Sequence, residues 1–206
     1  MKLQNVVIEA ASPVKKVIGL YPGRFQPFGQ HHAKAYEWMG KQFGPKNTYV
    51  VTSNVQDDNK SPFSFIEKKK IINSHGITKV RKVKNPYRAD EVVSRFDDET
   101  TAIVFGFSEK DAGRIAGSNK SYFKPYDKNK NKLKPYTENA YFIIIPRFSF
   151  NVPGFGEMSG TSLRKAFGST KMGSERKMKI FKAVFGHTKK SIYNLVCEAK
   201  RSHPNE

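Results

Sequence analysis

Two glycines, an arginine and a pair of histidines lie within ten residues of the sequence, in the stretch GRFQPFGQHH (23–32). Gly23 allows a sharp turn that brings backbone N–H groups close to a ligand. The guanidinium of Arg24 can bind phosphate oxygens, and an imidazole at His31 or His32 can donate to a phosphoryl group as negative charge develops. These groups suit a nucleoside triphosphate, although a glycine- and proline-rich turn with incidental histidines has the same composition.

This segment lies between a predicted strand and a predicted helix. The run KKVIGLYP (15–22) predicts a buried strand, and HHAKAYEWMGKQFG (31–44) predicts a helix that ends at Gly-Pro. Strands and helices alternate up to residue 117, which predicts an α/β fold with a parallel sheet. Further strands are predicted at 47–54, 77–83, 101–107 and 141–148, and further helices at 64–76, 88–96 and 108–117. Ligands bind such sheets beyond the carboxyl ends of the strands, where residues 23–32 would lie.

A second pattern suited to anions, SGTSLR (159–164), begins a helical C-terminal region. Ser159 and Thr161 are hydroxyl residues at a predicted helix N-terminus, where free N–H groups favour an anion. Arg164 follows Thr161 by three residues and therefore lies on the same side of the first turn. The alternative interpretation is an ordinary N-cap with a solvated arginine.

The two segments together resemble the nucleotidyltransferases that carry Gly-x-Phe-x-Pro-x-His-x-Gly-His after the first strand and Ile-Ser-Gly-Thr-x-Ile-Arg on a late helix. GRFQPF is similar in particular to adenylyltransferases that act on nicotinamide mononucleotide, and MSGTSLR (158–164) matches the second motif. The resemblance covers roughly residues 15–170. It implies a Rossmann-like parallel sheet flanked by helices, with a helical C-terminal region.

The resemblance also implies an activity. An NTP, most closely ATP, would react with a phosphorylated acceptor such as nicotinamide mononucleotide and release pyrophosphate, with Mg²⁺ accompanying the NTP. The nearest alternatives are a cytidylyltransferase and a pantetheine-phosphate adenylyltransferase. The implied catalytic residues are His31, His32 and Arg164. The implied nucleotide-binding residues are Gly23, Arg24, Phe25, Gly29, Gly106, Ser108, Asp111, Ser159, Gly160, Thr161 and Ser162, and no protein ligand to a metal is predicted.

One position departs from the family motif. Gly29 stands where the motif has its first histidine, His31 stands at the motif glycine, and His32 matches the second histidine. The Gly-x-His-His form is similar to that of tailed-phage nucleotidyltransferases. Consecutive helical residues point about 100° apart. We therefore predict that His31 lies just before the helix, in a non-helical conformation near a bound anion; the alternative is that it packs against a neighbouring strand or aromatic residue.

The charge of the chain suggests partners of a second class. The net charge of +19 and the pI near 9.9 favour attraction to polyanions, so a catalytically weakened family member that binds nucleic acid or a protein assembly is the rival function. The lone cysteine, Cys197, excludes an internal disulfide and is typical of a reducing compartment. No signal peptide or membrane span is predicted, so we expect a cytoplasmic protein (in the host cytoplasm if phage-encoded).

The predicted organisation is a single nucleotidyltransferase domain over 1–206, with an α/β core at 14–167 and C-terminal helices at 168–206. Residues 119–136 contain six lysines and three tyrosines. A solvated loop is the favoured interpretation of this insert; aromatic residues among lysines could also bind nucleic acid, or the insert could close over the acceptor as a lid. The sequence leaves open whether the chain forms a homo-oligomer.

Overall fold

A computed structural model describes residues 12–57, 60–118 and 122–201. Six strands form one parallel sheet in the order β3-β2-β1-β4-β6-β5. Every residue of the central strand β4 is buried, as expected for a parallel strand that is covered on both faces. The strands are β1 (Lys16–Pro22), β2 (Thr48–Thr52), β3 (Val80–Lys82), β4 (Thr101–Phe107), β5 (Phe123–Pro125) and β6 (Ala140–Ile144).

Helices cover both faces of this sheet. Val50 and Val51 are successive residues of β2, so their side chains point to opposite faces. Val50 packs in one apolar cluster with residues of α1, α2, α6, α7 and α8, whereas Val51 packs in another with residues of α3 and α4. The helices are α1 (Gln30–Phe43), α2 (Phe65–Asn73), α3 (Asp90–Val93), α4 (Glu109–Ser118), α5 (Tyr126–Asn129), α6 (Gly160–Gly168), α7 (Ser174–Phe185) and α8 (Lys190–Arg201).

The predicted α/β sheet with a helical C-terminal region is confirmed. The helix predicted at 64–76 begins as its sequence indicates, because the Ser64 hydroxyl accepts from the Glu67 N–H and the Glu67 carboxylate accepts from the Ser64 N–H. The strands predicted at 77–83 and 141–148 are shorter in the structure, where they span Val80–Lys82 and Ala140–Ile144.

The interpretation of the basic insert as a solvated loop is wrong for residues 123–129. Residues 123–125 form β5 at the edge of the sheet, parallel to β6, and α5 follows directly. Phe123 and Leu133 are buried, and the Tyr126 ring packs against Phe43 of α1. Apolar side chains spaced among the lysines therefore fix this segment to the sheet; residues 119–121 lie outside the described part.

The topology places residues 23–29 at the predicted crevice. The chain crosses from β1 through α1 to β2 on one side, and β4 lies on the other side of β1. The segment that follows β1 therefore leaves the sheet where the strand order reverses, which is the usual ligand position in open α/β sheets. Within the part of the chain that the structure describes, no helix combines the length and the hydropathy needed to cross a bilayer.

Candidate functional site

The turn after β1 has a tightly defined backbone. Phe25 adopts a left-handed conformation (φ 50°) while its ring is buried against Tyr21 and Phe28. A Cβ atom at Gly23 would lie 2.6 Å from Cζ of Phe25, so only glycine fits beneath this ring. Gln26 is buried and exchanges two hydrogen bonds with the backbone of Phe63, at 3.0 and 3.1 Å. The backbone N–H groups of the turn are therefore held in place before any ligand binds.

His32 is held as a neutral hydrogen-bond donor. The Gly29 N–H donates to Nδ1 of His32 at 3.1 Å, and the His32 N–H donates to the Gly29 carbonyl at 3.0 Å. Because Nδ1 accepts this bond, the neutral ring carries its proton on Nε2. Burial lowers the pKa of His32 well below its usual value, and the nearby rings of His31 and His75 lower this pKa further. The ring therefore presents an uncharged Nε2–H donor at neutral pH.

His31 is the second residue of α1, so the prediction that it precedes the helix is wrong. Gly29 is the N-cap, and its carbonyl accepts from His32 and Ala33, which starts the helix at Gln30. The centroid of the His31 ring lies 3.8 Å from that of His32 and 4.8 Å from that of Phe150, on which it stacks, as the aromatic-packing alternative expected. The ring also lines both cavities, and its contact with a bound anion stays a prediction. Burial lowers the pKa of His31 to about 4. Its Nδ1 atom is buried and has no hydrogen-bond partner among the described residues.

The position of Gly29 explains the departure from the family motif. A Cβ atom there would lie 3.0 Å from the Val184 carbonyl oxygen of α7 and 3.1 Å from Nδ1 of His31. Both distances are shorter than ordinary van der Waals contact, so α7 occupies the space that a larger side chain would need. This glycine allows α7 to pack directly on the start of α1.

Arg164 joins the two motifs. Its Nη1 donates to the Gln26 carbonyl at 2.8 Å, across 138 residues, and its Nη2 donates to the Thr161 hydroxyl at 3.1 Å. Ser159 is the N-cap of α6 and accepts from the Ser162 N–H at 3.1 Å, which confirms the N-cap interpretation for this serine. Arg164 is partly buried, which lowers its pKa. Sequence reasoning missed the role of Gln26, because a glutamine in a turn carries no signal of a distant arginine.

Two cavities meet at the histidine pair. They have volumes of about 1150 and 530 Å³, and both are lined by Arg24, Phe25, His31 and His32. The smaller cavity is otherwise lined by Gln26, Pro27, Lys60, Met158, Ser159, Gly160, Thr161, Leu163 and Arg164. The larger cavity is otherwise lined by Tyr21, Pro22, Gly23, Ala35, Tyr87, Gly106, Phe107, Ser108, Glu109, Lys110, Asp111, Ile144, Ile145, Pro146, Arg147 and Phe148. Among the predicted site residues, Gly29 and Ser162 line neither cavity; Gly29 lies beneath the site and Ser162 supports the cap of α6.

The predicted residues at the end of β4 and just after it lie on the wall of the larger cavity. The Ser108 hydroxyl donates to the Asp111 carboxylate at 2.9 Å and accepts from the Asp111 N–H at 3.2 Å, which caps α4. At Gly106 a Cβ atom would lie 2.3 Å from Sδ of Met39, so this glycine is required by packing against α1 as well as by its place at the cavity. Within residues 12–57, 60–118 and 122–201, no cluster of three histidine, cysteine or acidic side chains could hold a metal ion.

Comparisons with known proteins find similarity in structure alone. No protein-family model matches the chain, and no curated protein matches it in sequence. A bifunctional NMN adenylyltransferase/ADP ribose pyrophosphatase from Francisella tularensis is similar with a TM-score of 0.57 and 14% identity, over 91% of this chain and 52% of that one. This chain therefore spans about half the length of the Francisella protein. A structure of the Francisella protein with AMP and a manganese ion has a TM-score of 0.50, 15% identity and coverage of 91% and 51%.

A second similar protein matches along nearly its whole length. The nicotinic acid mononucleotide adenylyltransferase of Plasmodium falciparum, complexed with NaAD, has a TM-score of 0.54 and 14% identity, over 89% of this chain and 95% of that one. At such identities the likeness concerns the fold. This chain therefore shares the Rossmann-like fold of the adenylyltransferases that act on nicotinamide and nicotinic acid mononucleotide.

Proposed function

We propose that the chain is a nucleotidyltransferase that transfers the adenylyl group of ATP to a phosphorylated acceptor and releases pyrophosphate. The observation that carries this proposal is the neutral His32 ring, fixed by Gly29 with its proton on Nε2, at the junction of two cavities. A donor of this kind suits a phosphorus centre on which negative charge develops. The shared fold and the two motifs support the same activity.

The smaller cavity suits the β- and γ-phosphates. Arg24, Lys60 and Arg164 line it, and the N-terminus of α6 adds free backbone N–H groups. Two donors of Arg164 bind Gln26 and Thr161, so this arginine positions the two motifs and supplies positive charge at the same time. Pyrophosphate would leave through this cavity.

The larger cavity suits the nucleoside and the acceptor. With the α-phosphate at the histidine pair, an acceptor phosphate oxygen in this cavity attacks the α-phosphorus directly. The new phosphorus–oxygen bond forms as the bond to the oxygen bridging the α- and β-phosphates breaks. The acceptor phosphate is already a nucleophile at neutral pH, so this reaction needs no general base, and catalysis consists of positioning and charge stabilisation.

The low pKa of the histidine pair fits this chemistry. Burial keeps both rings neutral at pH 7. His32 can therefore donate a hydrogen bond without placing a second positive charge beside Arg24, which would be repelled. A bound divalent cation such as Mg²⁺ would supply further charge neutralisation on the triphosphate. Phosphate oxygens and water would supply most of its ligands, and Asp111 is a carboxylate on the wall of the larger cavity.

Nicotinamide or nicotinic acid mononucleotide is the acceptor that we propose first, because the structurally similar proteins are adenylyltransferases of these two compounds. The test is a pyrophosphate-release screen of ATP, CTP, GTP and UTP against both mononucleotides and 4′-phosphopantetheine. We expect ATP with a pyridine mononucleotide to give the highest rate. CTP as the better donor would favour the cytidylyltransferase alternative, and phosphopantetheine as the better acceptor would favour the pantetheine alternative.

His32→Ala tests the residue on which the proposed function chiefly depends. The loss of a transition-state donor should lower turnover about 10²-fold or more. His187→Ala is the matched control, because His187 is also partly buried but lines neither cavity. Near-normal turnover in a folded His32→Ala variant would contradict the proposed role. A folded wild-type protein that releases no pyrophosphate with any pair would contradict the proposed activity.

A further inference from the structure

The C-terminal helices carry a concentrated positive charge. Residues 159–201 contain eleven lysines and arginines against two glutamates, Glu175 and Glu198. Glu175 pairs with Lys179 on the same helix at 2.8 Å. Nine of the nineteen net positive charges of the chain therefore lie in this segment, which forms α6, α7 and α8.

The amphipathic pattern of α7 directs this charge outward. Ile180, Phe181, Val184 and Phe185 are buried in the apolar cluster beneath the helix. Arg176, Lys179 and Lys182 are exposed on the opposite face, at intervals of three residues. A rise of about 1.5 Å per residue places these cations roughly 4.5 Å apart along the helix.

The positive charge continues from α7 across the next turn to α2. Lys189 and Lys190 are exposed at the start of α8, and Nζ of Lys189 donates to the Ser74 carbonyl at the end of α2 at 2.7 Å. Lys69 and Lys70 are exposed on α2. We call this set the basic helical face; its members are Lys69, Lys70, Arg176, Lys179, Lys182, Lys189 and Lys190.

This face is separate from the candidate active site. The cations that line the two cavities are Arg24, Lys60, Lys110, Arg147 and Arg164, and no member of the basic helical face is among them. Attraction of a small phosphorylated substrate into the cavities therefore does not account for the charge on α7 and α8. A row of cations outside the cleft suits a polyanion larger than a nucleotide.

We propose that the basic helical face binds the sugar-phosphate backbone of a nucleic acid, without reading its sequence. Regularly spaced lysines on exposed helix faces suit repeated phosphates and give affinity through counterion release. An anionic membrane fits this face less well, because interfacial helices bury apolar side chains in the bilayer. The apolar side chains of α7 are already buried in the protein core. Among the large apolar side chains exposed in the described residues, Ile66 on α2 and Phe155, whose ring lies under Arg176, are the two that adjoin this face, and two isolated side chains do not form an apolar face that could enter a bilayer.

The test compares two triple variants of equal charge. The first is Lys182→Gln/Lys189→Gln/Lys190→Gln on the basic helical face. The matched control is Lys82→Gln/Lys84→Gln/Lys128→Gln, which removes three exposed lysines outside this face. Fluorescence anisotropy with a labelled 20-base oligothymidylate measures binding between 50 and 300 mM salt, and thermal unfolding confirms that both variants are folded.

We expect the first variant to bind the oligonucleotide at least tenfold more weakly in 100 mM salt. The slope of log affinity against log salt concentration should fall by about 2, since each phosphate contact with a single strand contributes about 0.7. The control should keep most of the wild-type affinity and slope. Equal losses in both variants would show that net charge alone acts, and would overturn the assignment of the face.

Two further measurements distinguish other sources of binding. Sedimentation with phosphatidylserine vesicles should leave the protein in solution at salt concentrations where the oligonucleotide stays bound; tighter binding to vesicles would overturn the choice of nucleic acid. Pyrophosphate release should be unchanged in the first variant, because its lysines line neither cavity. Absence of pyrophosphate release in the wild type would refute the proposed transferase and leave the binding result intact.

Discussion

Gly29→His would restore the first histidine of the family motif, and the structure predicts that it fails as a repair. The added Cβ would lie 3.0 Å from the Val184 carbonyl oxygen and 3.1 Å from Nδ1 of His31. The imidazole beyond this Cβ has to displace α7 or the start of α1. Overpacking of this kind costs about 1 to 3 kcal/mol of unfolding free energy. For a chain of this size that loss lowers the melting temperature by about 2 to 12 °C.

The measurement is urea and thermal unfolding of the wild type, Gly29→His and Gly29→Ala. Gly29→Ala should lose less free energy than Gly29→His, because a methyl group needs a shift of only a few tenths of an ångström in its neighbours. Gly40→Ala is the control on the same helix. Its Cβ would meet only Pro45, at 3.9 Å, so removing a helix-interior glycine should stabilise the protein by about 0.5 to 1 kcal/mol.

Turnover gives the second readout of the same variant. Because a displaced α1 moves His32 and the Gly29 N–H that fixes its tautomer, Gly29→His should not raise pyrophosphate release. A stable Gly29→His protein with faster turnover would refute the reasoning. That result would show that a histidine at position 29 assists turnover and that α7 can move to accommodate it without a loss of stability.

Three further predictions concern the buried histidines and the link between the motifs. His31→Phe should keep the unfolding free energy within about 1 kcal/mol of the wild type, because a ring still stacks on Phe150 and a buried polar atom without a partner is removed. The same variant should lower turnover at least about tenfold. Unchanged turnover would show that His31 acts only in packing. Arg164→Lys should raise the KM for ATP about tenfold and lower the unfolding free energy by about 1 to 2 kcal/mol, because one ammonium group cannot bind Gln26, Thr161 and phosphate together. Unchanged kinetics would count against a role of Arg164 at the triphosphate. Acid should destabilise the fold, because burial lowers the pKa of His31 and His75 from 6.5 to about 4. Between these two pH values the unfolded chain binds more protons than the folded one. The stability present above pH 6.5 is therefore lost as the pH falls towards 4. Urea unfolding at pH 7, 5.5 and 4.5 should show a loss on the order of 3 kcal/mol in total, after allowance for partial exposure, and a flat profile would contradict these shifts.

Local sequence signals predicted the frame of the molecule. The Ser64–Glu67 capping box marked the start of α2, and the apolar run of β4 marked a buried strand. These features depend on neighbouring residues, whose propensities and hydrogen bonds act within one turn or one strand. The positions of both motifs at helix starts followed from the same signals.

Features that depend on distant contacts could not be predicted. The hydrogen bond from Arg164 to Gln26 and the packing of Val184 on Gly29 join segments more than 130 residues apart. The strand in the basic insert was missed because it has only three residues, Phe-Lys-Pro at 123–125, which is too short a pattern to indicate an edge strand. The helix predicted from residue 31 begins one residue earlier, at Gln30, and this small shift places His31 inside the first turn instead of before it.

Gln26 has a consequence for how the protein can change in evolution. Its side chain bonds the backbone of Phe63, and its carbonyl accepts from Arg164, so three distant segments are located by one residue. The chain between these segments can then lengthen or shorten without altering the spacing of the phosphate-binding groups. A substitution of Gln26 keeps the backbone carbonyl that Arg164 binds but removes the amide that holds Phe63, so insertions in the loops between the motifs should be tolerated more readily than the loss of this amide.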